Sequence, residues 1–150
     1  MDTGVPNDFK DLFRLLNAHG VKYLVVGGYA VNYYGYNRFT QDLDVWVEST
    51  LENGEKFVTA MREFGSNDPD LKPSSLTVFD KIIRMGVSPY VLEFFTHIPG
   101  VDFEVCYQDR SIADWGDVEV SMISLNNLKA SKRTTGRHKD LDDLENLPPL

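Results

Sequence analysis

The chain is poor in cysteine, in positive charge and in long apolar runs, and each shortage excludes something. Its 150 residues hold one cysteine, Cys106. A lone thiol closes no internal disulfide, so the fold rests on its core, as suits a reducing cytoplasm. Lys and Arg number 15 against 23 Asp and Glu, a formal charge of -8. That sign is unsuited to non-specific binding of DNA or RNA, which draws its strength from basic groups that displace phosphate counterions. Anionic ligands held through metal ions stay open. The longest apolar stretches, such as residues 23–26 and 91–95, fall far short of the roughly 20 residues a membrane helix needs. The first eight residues lack the basic and apolar regions of a secretory signal. The expectation is a soluble cytoplasmic protein with no membrane partner.

What is there describes a folded globule: 42% of residues are hydrophobic and 12% aromatic, too many for an acidic disordered tail. The length is that of one domain, and no repeat, low-complexity tract or linker interrupts it, so residues 1–150 are expected to form one unit. Asn7 is placed to cap a helix carrying Phe9, Leu12, Phe13 and Leu16, with Gly20 as its stop and His19 at its C-terminal end. Tyr23-Leu24-Val25-Val26 reads as a buried strand ending at Gly27-Gly28, and a short helix follows to Gly35. Residues 42–48 alternate as a strand with one apolar face. Ser49 and Glu52 have capping-box spacing ahead of a helix burying Phe57, Ala60, Met61 and Phe64. Residues 66–75, with Pro69 and Pro73, read as an irregular mobile loop.

Strands near 81–85 and 90–96 are expected to form an antiparallel hairpin, with another strand over 118–122. Ser124 caps a helix to about Thr134, and a last short helix carries Leu141, Leu144 and Leu147. The fold class is α/β (α+β): a mixed, largely antiparallel sheet flanked by helices, unlike a doubly wound dinucleotide-binding sheet.

The chemistry concentrates in Gly27-Gly28-Tyr29-Ala30 and in Arg38-Phe39-Thr40-Gln41-Asp42-Leu43-Asp44. Residues two apart on a strand share a face, so Asp42 and Asp44 present two carboxylates together. Like charges side by side are unfavourable unless something positive lies between them, and Mg²⁺ takes one or two carboxylates alongside phosphate oxygens. The glycines end a strand where a helix begins and let a phosphate approach backbone N–H groups. Each signal alone has a plainer reading, a solvated strand face or a turn. Their order, strand, Gly-Gly, helix, loop, strand, is more specific.

Glu93 is a lone charge within Tyr90-Val91-Leu92-Glu93-Phe94-Phe95, where an ionised group needs a partner; a shared metal or an edge strand facing water would both satisfy it. Asp102 and Glu104 are rival third ligands, although their place after Pro99-Gly100 favours a loop or short helix. Arg38 is placed to reach phosphate or brace the Asp pair. Lys132, Arg133, Arg137 and Lys139 form the one dense basic cluster. Lys132 is the candidate phosphate contact, and balancing Asp140, Asp142, Asp143 and Glu145 is the equal alternative. The tyrosines at 29, 33, 34 and 36 are read as helix packing ahead of base stacking. Trp46 and Trp115 are read as core or cover, Cys106 as a small semi-buried residue, and His19, His97 and His138 are assigned no catalytic role.

Gly-Gly followed by Arg-x-Thr-x-Asp-x-Asp resembles the signature of the DNA polymerase β-type nucleotidyltransferase superfamily. The likeness is nearest to small prokaryotic members related to abortive-infection and toxin–antitoxin nucleotidyltransferases. It extends through Ile83-Arg84-Met85-Gly86, Ile123-Ser124-Leu125, Lys132, Gly136-Arg137 and Lys139-Asp140.

The resemblance implies transfer of a nucleoside monophosphate from an NTP such as ATP, with pyrophosphate released and two Mg²⁺ ions on three carboxylates. Asp42 and Asp44 match the first two carboxylate positions. Glu93 matches the third, where the family has Asp. Gly27, Gly28, Arg38, Thr40 and Lys132 are then the nucleotide-binding residues. The acceptor, whether RNA, protein or small molecule, is not readable. The alternative is a catalytically weak or inactive nucleotide-binding or antitoxin-like module of the same fold.

Overall fold

A computed structural model describes residues 5–37, 40–87 and 89–150. Helix α1 (Asn7–Ala18) leads into β1 (Tyr23–Val26), α2 (Gly27–Tyr33), β2 (Asp42–Val47) and α3 (Leu51–Phe64). After a 3-10 turn (Pro73–Thr77) come β3 (Ile82–Val87), β4 (Tyr90–Phe95), α4 (Phe103–Gln108), β5 (Ser111–Asp114), β6 (Glu119–Met122), α5 (Leu125–Thr135) and α6 (His138–Asn146). Among the described residues the strands form one sheet in the order β3-β4-β2-β1-β6-β5. It is mixed: β2 runs parallel to β4 and β1 to β6, and the other neighbours are antiparallel.

Alternation along the strands assigns the two faces. Leu43, Val45, Leu92 and Phe94 are wholly buried on the face covered by α1 and α3. There Phe57 meets Phe94 edge-on at 4.9 Å and Phe9 meets Tyr90 at 5.3 Å. The opposite face carries Asp42, Asp44 and Trp46 of β2 with Val91, Glu93 and Phe95 of β4. Phe103 of α4 caps its Trp46 end at 5.1 Å, so one part of this face is closed and the part around Asp44 is left for α5 and α6 to roof.

Several local expectations are corrected. Asn7 does not cap α1; the helix starts at Asn7, and Pro6, with its fixed φ, takes the cap position, its carbonyl accepting from the Phe9 and Lys10 N–H groups. The cap of α3 is Thr50, whose hydroxyl accepts from Asn53 N–H at 3.1 Å. Ser49 is drawn away from capping because its hydroxyl donates to the Leu76 carbonyl. Residues 66–75 are tied down: Arg62 donates to the carbonyls of Ser66 at 3.1 Å and Leu71 at 2.8 Å, and Pro73 packs where a Cβ at Gly54 would sit.

Strand β5 has no counterpart in the sequence reading. It is four residues long with only Ala113 buried, too short for alternation to register. Asp102 is the cap of α4, accepting from Val105 N–H at 3.1 Å. Ser124 caps α5 as expected, and Cys106 is buried. No helix among the described residues is long and apolar enough to cross a membrane.

Candidate active site

Strand β2 delivers Asp42 and Asp44 to one sheet face, and the parallel pairing of β2 with β4 sets Glu93 directly beside Asp44. Register neighbours point the same way, so one row across four strands reads Arg84, Glu93, Asp44, Val26. The row toward the C-terminal ends of β2 and β4 is apolar: Ile82, Phe95, Trp46 and Leu24. The charged row thus lies against a hydrophobic floor.

Burial, followed by the neighbouring Glu93 and Asp42 carboxylates, pushes the Asp44 carboxyl up to about 6, with Lys139 and Lys132 pulling the other way. Such a carboxylate favours a cation beside it. Gly27 keeps that space clear: it sits at φ 65°, and a Cβ there would collide with the Asp44 carboxylate. A Cβ on Gly28 would lie 2.8 Å from the Thr40 hydroxyl, which itself donates to the Asp42 carbonyl at 3.1 Å. The two glycines therefore bring the start of α2 onto the carboxylate strand and its preceding loop. Arg38 lies outside the described residues.

Glu93 does not simply face water. It is 14% exposed at its side chain and accepts from Arg84 at 3.3 Å. Among the described residues no three His, Cys, Asp or Glu side chains are gathered closely enough to hold an ion as they stand. The donor chemistry nevertheless fits a hard divalent cation: carboxylate oxygens on one face, with Asp44 discouraged from ionising first by burial and then by its neighbours.

A cleft of about 530 Å³ opens over this face, with Asp44 in its wall and α5, the 97–99 segment and the start of α6 around it. Its basic side is organised by two buried carboxylates. Lys132, 6% exposed, donates to Asp143 at 2.8 Å and to Asp140 at 3.5 Å. Asp140 also accepts from Thr135 at 2.6 Å and from Arg137 Nε at 2.8 Å. Burial alone would raise the Asp140 carboxyl, but the hydrogen bonds from Arg137 and Thr135, with the Lys132 and Arg137 charges, bring it down to about 2. The hydrogen bond to Asp140 holds the Arg137 guanidinium above its ordinary value, and Asp44 adds to that shift.

The structure thus sets Asp42, Asp44 and Glu93 on one sheet face with Gly27, Gly28 and Thr40 packed beside β2, and sets Lys132 in the cleft wall already engaged in charge balance. Asp140 and Asp143 hold Lys132 as the charge-balance alternative had it, and Arg137 and Lys139 of the same basic cluster lie close enough to Asp44 to feel its charge. The signal was their crowding around Gly136, which turns α5 into α6 in the left-handed conformation. Two of the tyrosines are structural: Tyr34 donates to the Ile123 carbonyl at 2.6 Å and Tyr36 to Asp142 at 2.8 Å. Trp46 and Trp115 are buried.

Comparison with curated proteins finds no match. The family model described as "Nucleotidyl transferase of unknown function (DUF2204)" matches residues 6–149. That span includes every strand, the carboxylate row and the α5–α6 cation cluster, so the chain belongs to this nucleotidyl transferase family.

Proposed function

We propose that the protein transfers a nucleoside monophosphate from an NTP, ATP being the first to test, to a hydroxyl acceptor. A bond forms between the acceptor oxygen and the α-phosphorus, the bond to the bridging α,β oxygen breaks, and pyrophosphate leaves. The single observation that carries this is the in-register pair Asp44 and Glu93, with Asp42 on the same face, where Asp44 enters the wall of a cleft shared with Lys132 and Arg137.

Asp42, Asp44 and Glu93 are the oxygen donors for Mg²⁺, which when bound neutralises triphosphate charge and polarises the α-phosphorus. Gly27 leaves the approach to Asp44 open, and Gly28 lets the start of α2 pack on Thr40. Arg137 and Lys139, with Lys132 behind them, supply positive charge opposite the carboxylates, where a triphosphate needs it. Glu93 is positioned to take the proton of the acceptor hydroxyl. Phe95, Ile98 and Leu128 in the cleft wall offer an apolar seat for the nucleoside. A toxin–antitoxin or abortive-infection setting rests on the sequence resemblance alone.

A second reading, nucleotide binding without transfer, is favoured by one observation: Glu93 is already paired with Arg84. Titration calorimetry with Mg²⁺ and ATP separates the readings when followed by a pyrophosphate assay. Binding with pyrophosphate release supports transfer, binding without release supports the second reading, and heat unchanged in Asp42→Ala/Asp44→Ala removes the carboxylates from both.

A further inference from the structure

A second cavity, of about 280 Å³, lies between the turn from α1 to β1, the end of α4 and the paired strands β5 and β6. It is apart from the cleft: Val26, the register partner of Asp44, ends β1, and Tyr23 in the wall of this cavity starts it, ~10 Å back along the strand. Its inner wall is a closed hydrogen-bond network. Tyr23 donates to Asn17 at 2.9 Å and accepts from Ser121 N–H at 3.3 Å, and the Asn17 amide donates to the Glu119 carbonyl at 2.7 Å. Two charged side chains of the same wall, Arg110 and Glu119, stand outside that network.

The Arg110 guanidinium is held 4.0 Å above the Tyr107 ring, which is itself stacked on Phe103 at 5.6 Å. Nη1 donates to the Tyr107 carbonyl at 2.9 Å. Nε–H is out of contact with water and meets no acceptor, on a side chain that is always charged. An unspent donor on a cation calls for an anion. Glu119 is exposed, and its register partner on β5 is Asp114. Two acids side by side are unfavourable without a cation between them. Among the described residues none of these three side chains has an ion-pair partner. Arg110 and Glu119 therefore share a cavity with opposite charges and do not pair with each other.

We propose that this cavity binds a small free α-amino acid with an apolar side chain. The ligand's carboxylate meets the Arg110 fork, its ammonium meets Glu119, and its side chain lies against Val21 and Ile112 of the wall. A dipolar ligand answers both charges at once. A plain anion is repelled by Glu119, and a plain cation leaves Arg110 unmet. The Ser121 hydroxyl donates or accepts as either end requires. The site stands independently of the transfer reading.

The test is titration calorimetry on the full chain with L-valine, beside isovalerate, which lacks the ammonium, and isobutylamine, which lacks the carboxylate. L-valine is expected to bind saturably, and each truncated probe at least about tenfold more weakly, as loss of a charge-assisted contact requires. Arg110→Lys, which keeps the charge and loses the fork, and Glu119→Gln, at an exposed position, each weaken L-valine binding by a similar factor. Circular dichroism confirms that both variants fold, and binding of ATP with Mg²⁺ stays as in the wild type. Absence of saturable L-valine binding, equal binding of isovalerate, or wild-type L-valine affinity in Glu119→Gln each overturns the proposal. Should Arg110→Lys fail to fold, Glu119→Gln and the two truncated probes decide it.

Discussion

Asp44 and Glu93 are Cα register partners on the parallel strands β2 and β4, and Arg84, the antiparallel partner of Glu93 on β3, donates to its carboxylate at 3.3 Å. One acid of the pair therefore has a fixed counter-ion while the other is left against burial and two neighbouring carboxylates. That asymmetry makes Asp44 the position where a bound cation changes most.

Asp44 is costly to the metal-free fold. Its carboxyl is raised to about 6 from 3.8, so the folded protein holds a proton there that the unfolded chain has released, and stability falls as pH rises from about 4 to about 6. Asp44→Asn removes that cost. In chelator-treated protein at pH 8 the variant is expected to be more stable by on the order of 2–3 kcal/mol. The gain fades to nothing near pH 4, as read by urea denaturation across pH.

Gly27→Ala sets a Cβ against the Asp44 carboxylate at a positive φ. The expected loss is about 1–3 kcal/mol, together with loss of Mg²⁺-dependent stabilisation, because the side chain occupies the approach to Asp44. Thermal melts with and without Mg²⁺ measure both effects. Gly20→Ala, also at positive φ but with open space around it, is the control that keeps its Mg²⁺ response.

The α5–α6 junction is held by buried charge. Asp143→Ala leaves Lys132 short of its nearer carboxylate and is expected to cost about 3–5 kcal/mol in chemical denaturation. Asp140, lowered to about 2 from 3.8, contributes stability that is complete above pH 4 and is lost as pH falls toward 2. Asp140→Asn should therefore flatten the acid limb of the stability curve over that interval.

The Asp42-x-Asp44 face and the Gly27-Gly28 turn were legible because both rest on local rules, a period of two along a strand and the backbone freedom of glycine. The pairing of β2 with β4 was not, since register between distant strands is settled by the whole core; the isolation of Glu93 among apolar residues and its match to the third carboxylate position of the resembled superfamily pointed to it. The crowding of Lys132 with Asp140 and Asp143 was legible as charge balance, but which of the four acids it meets was not, because the turn at Gly136 sets how α6 faces α5. Ser49 looked like a cap and lost that role to a tertiary bond with Leu76, leaving the cap to its neighbour Thr50.

The most direct test of the central claim is transfer of label from an α-labelled NTP to RNA, protein and small-molecule acceptors with Mg²⁺ present. The account predicts Mg²⁺-dependent labelling of one acceptor class by the wild type and none by Asp42→Ala/Asp44→Ala. Labelling that persists in the double variant, or in excess chelator, would contradict it.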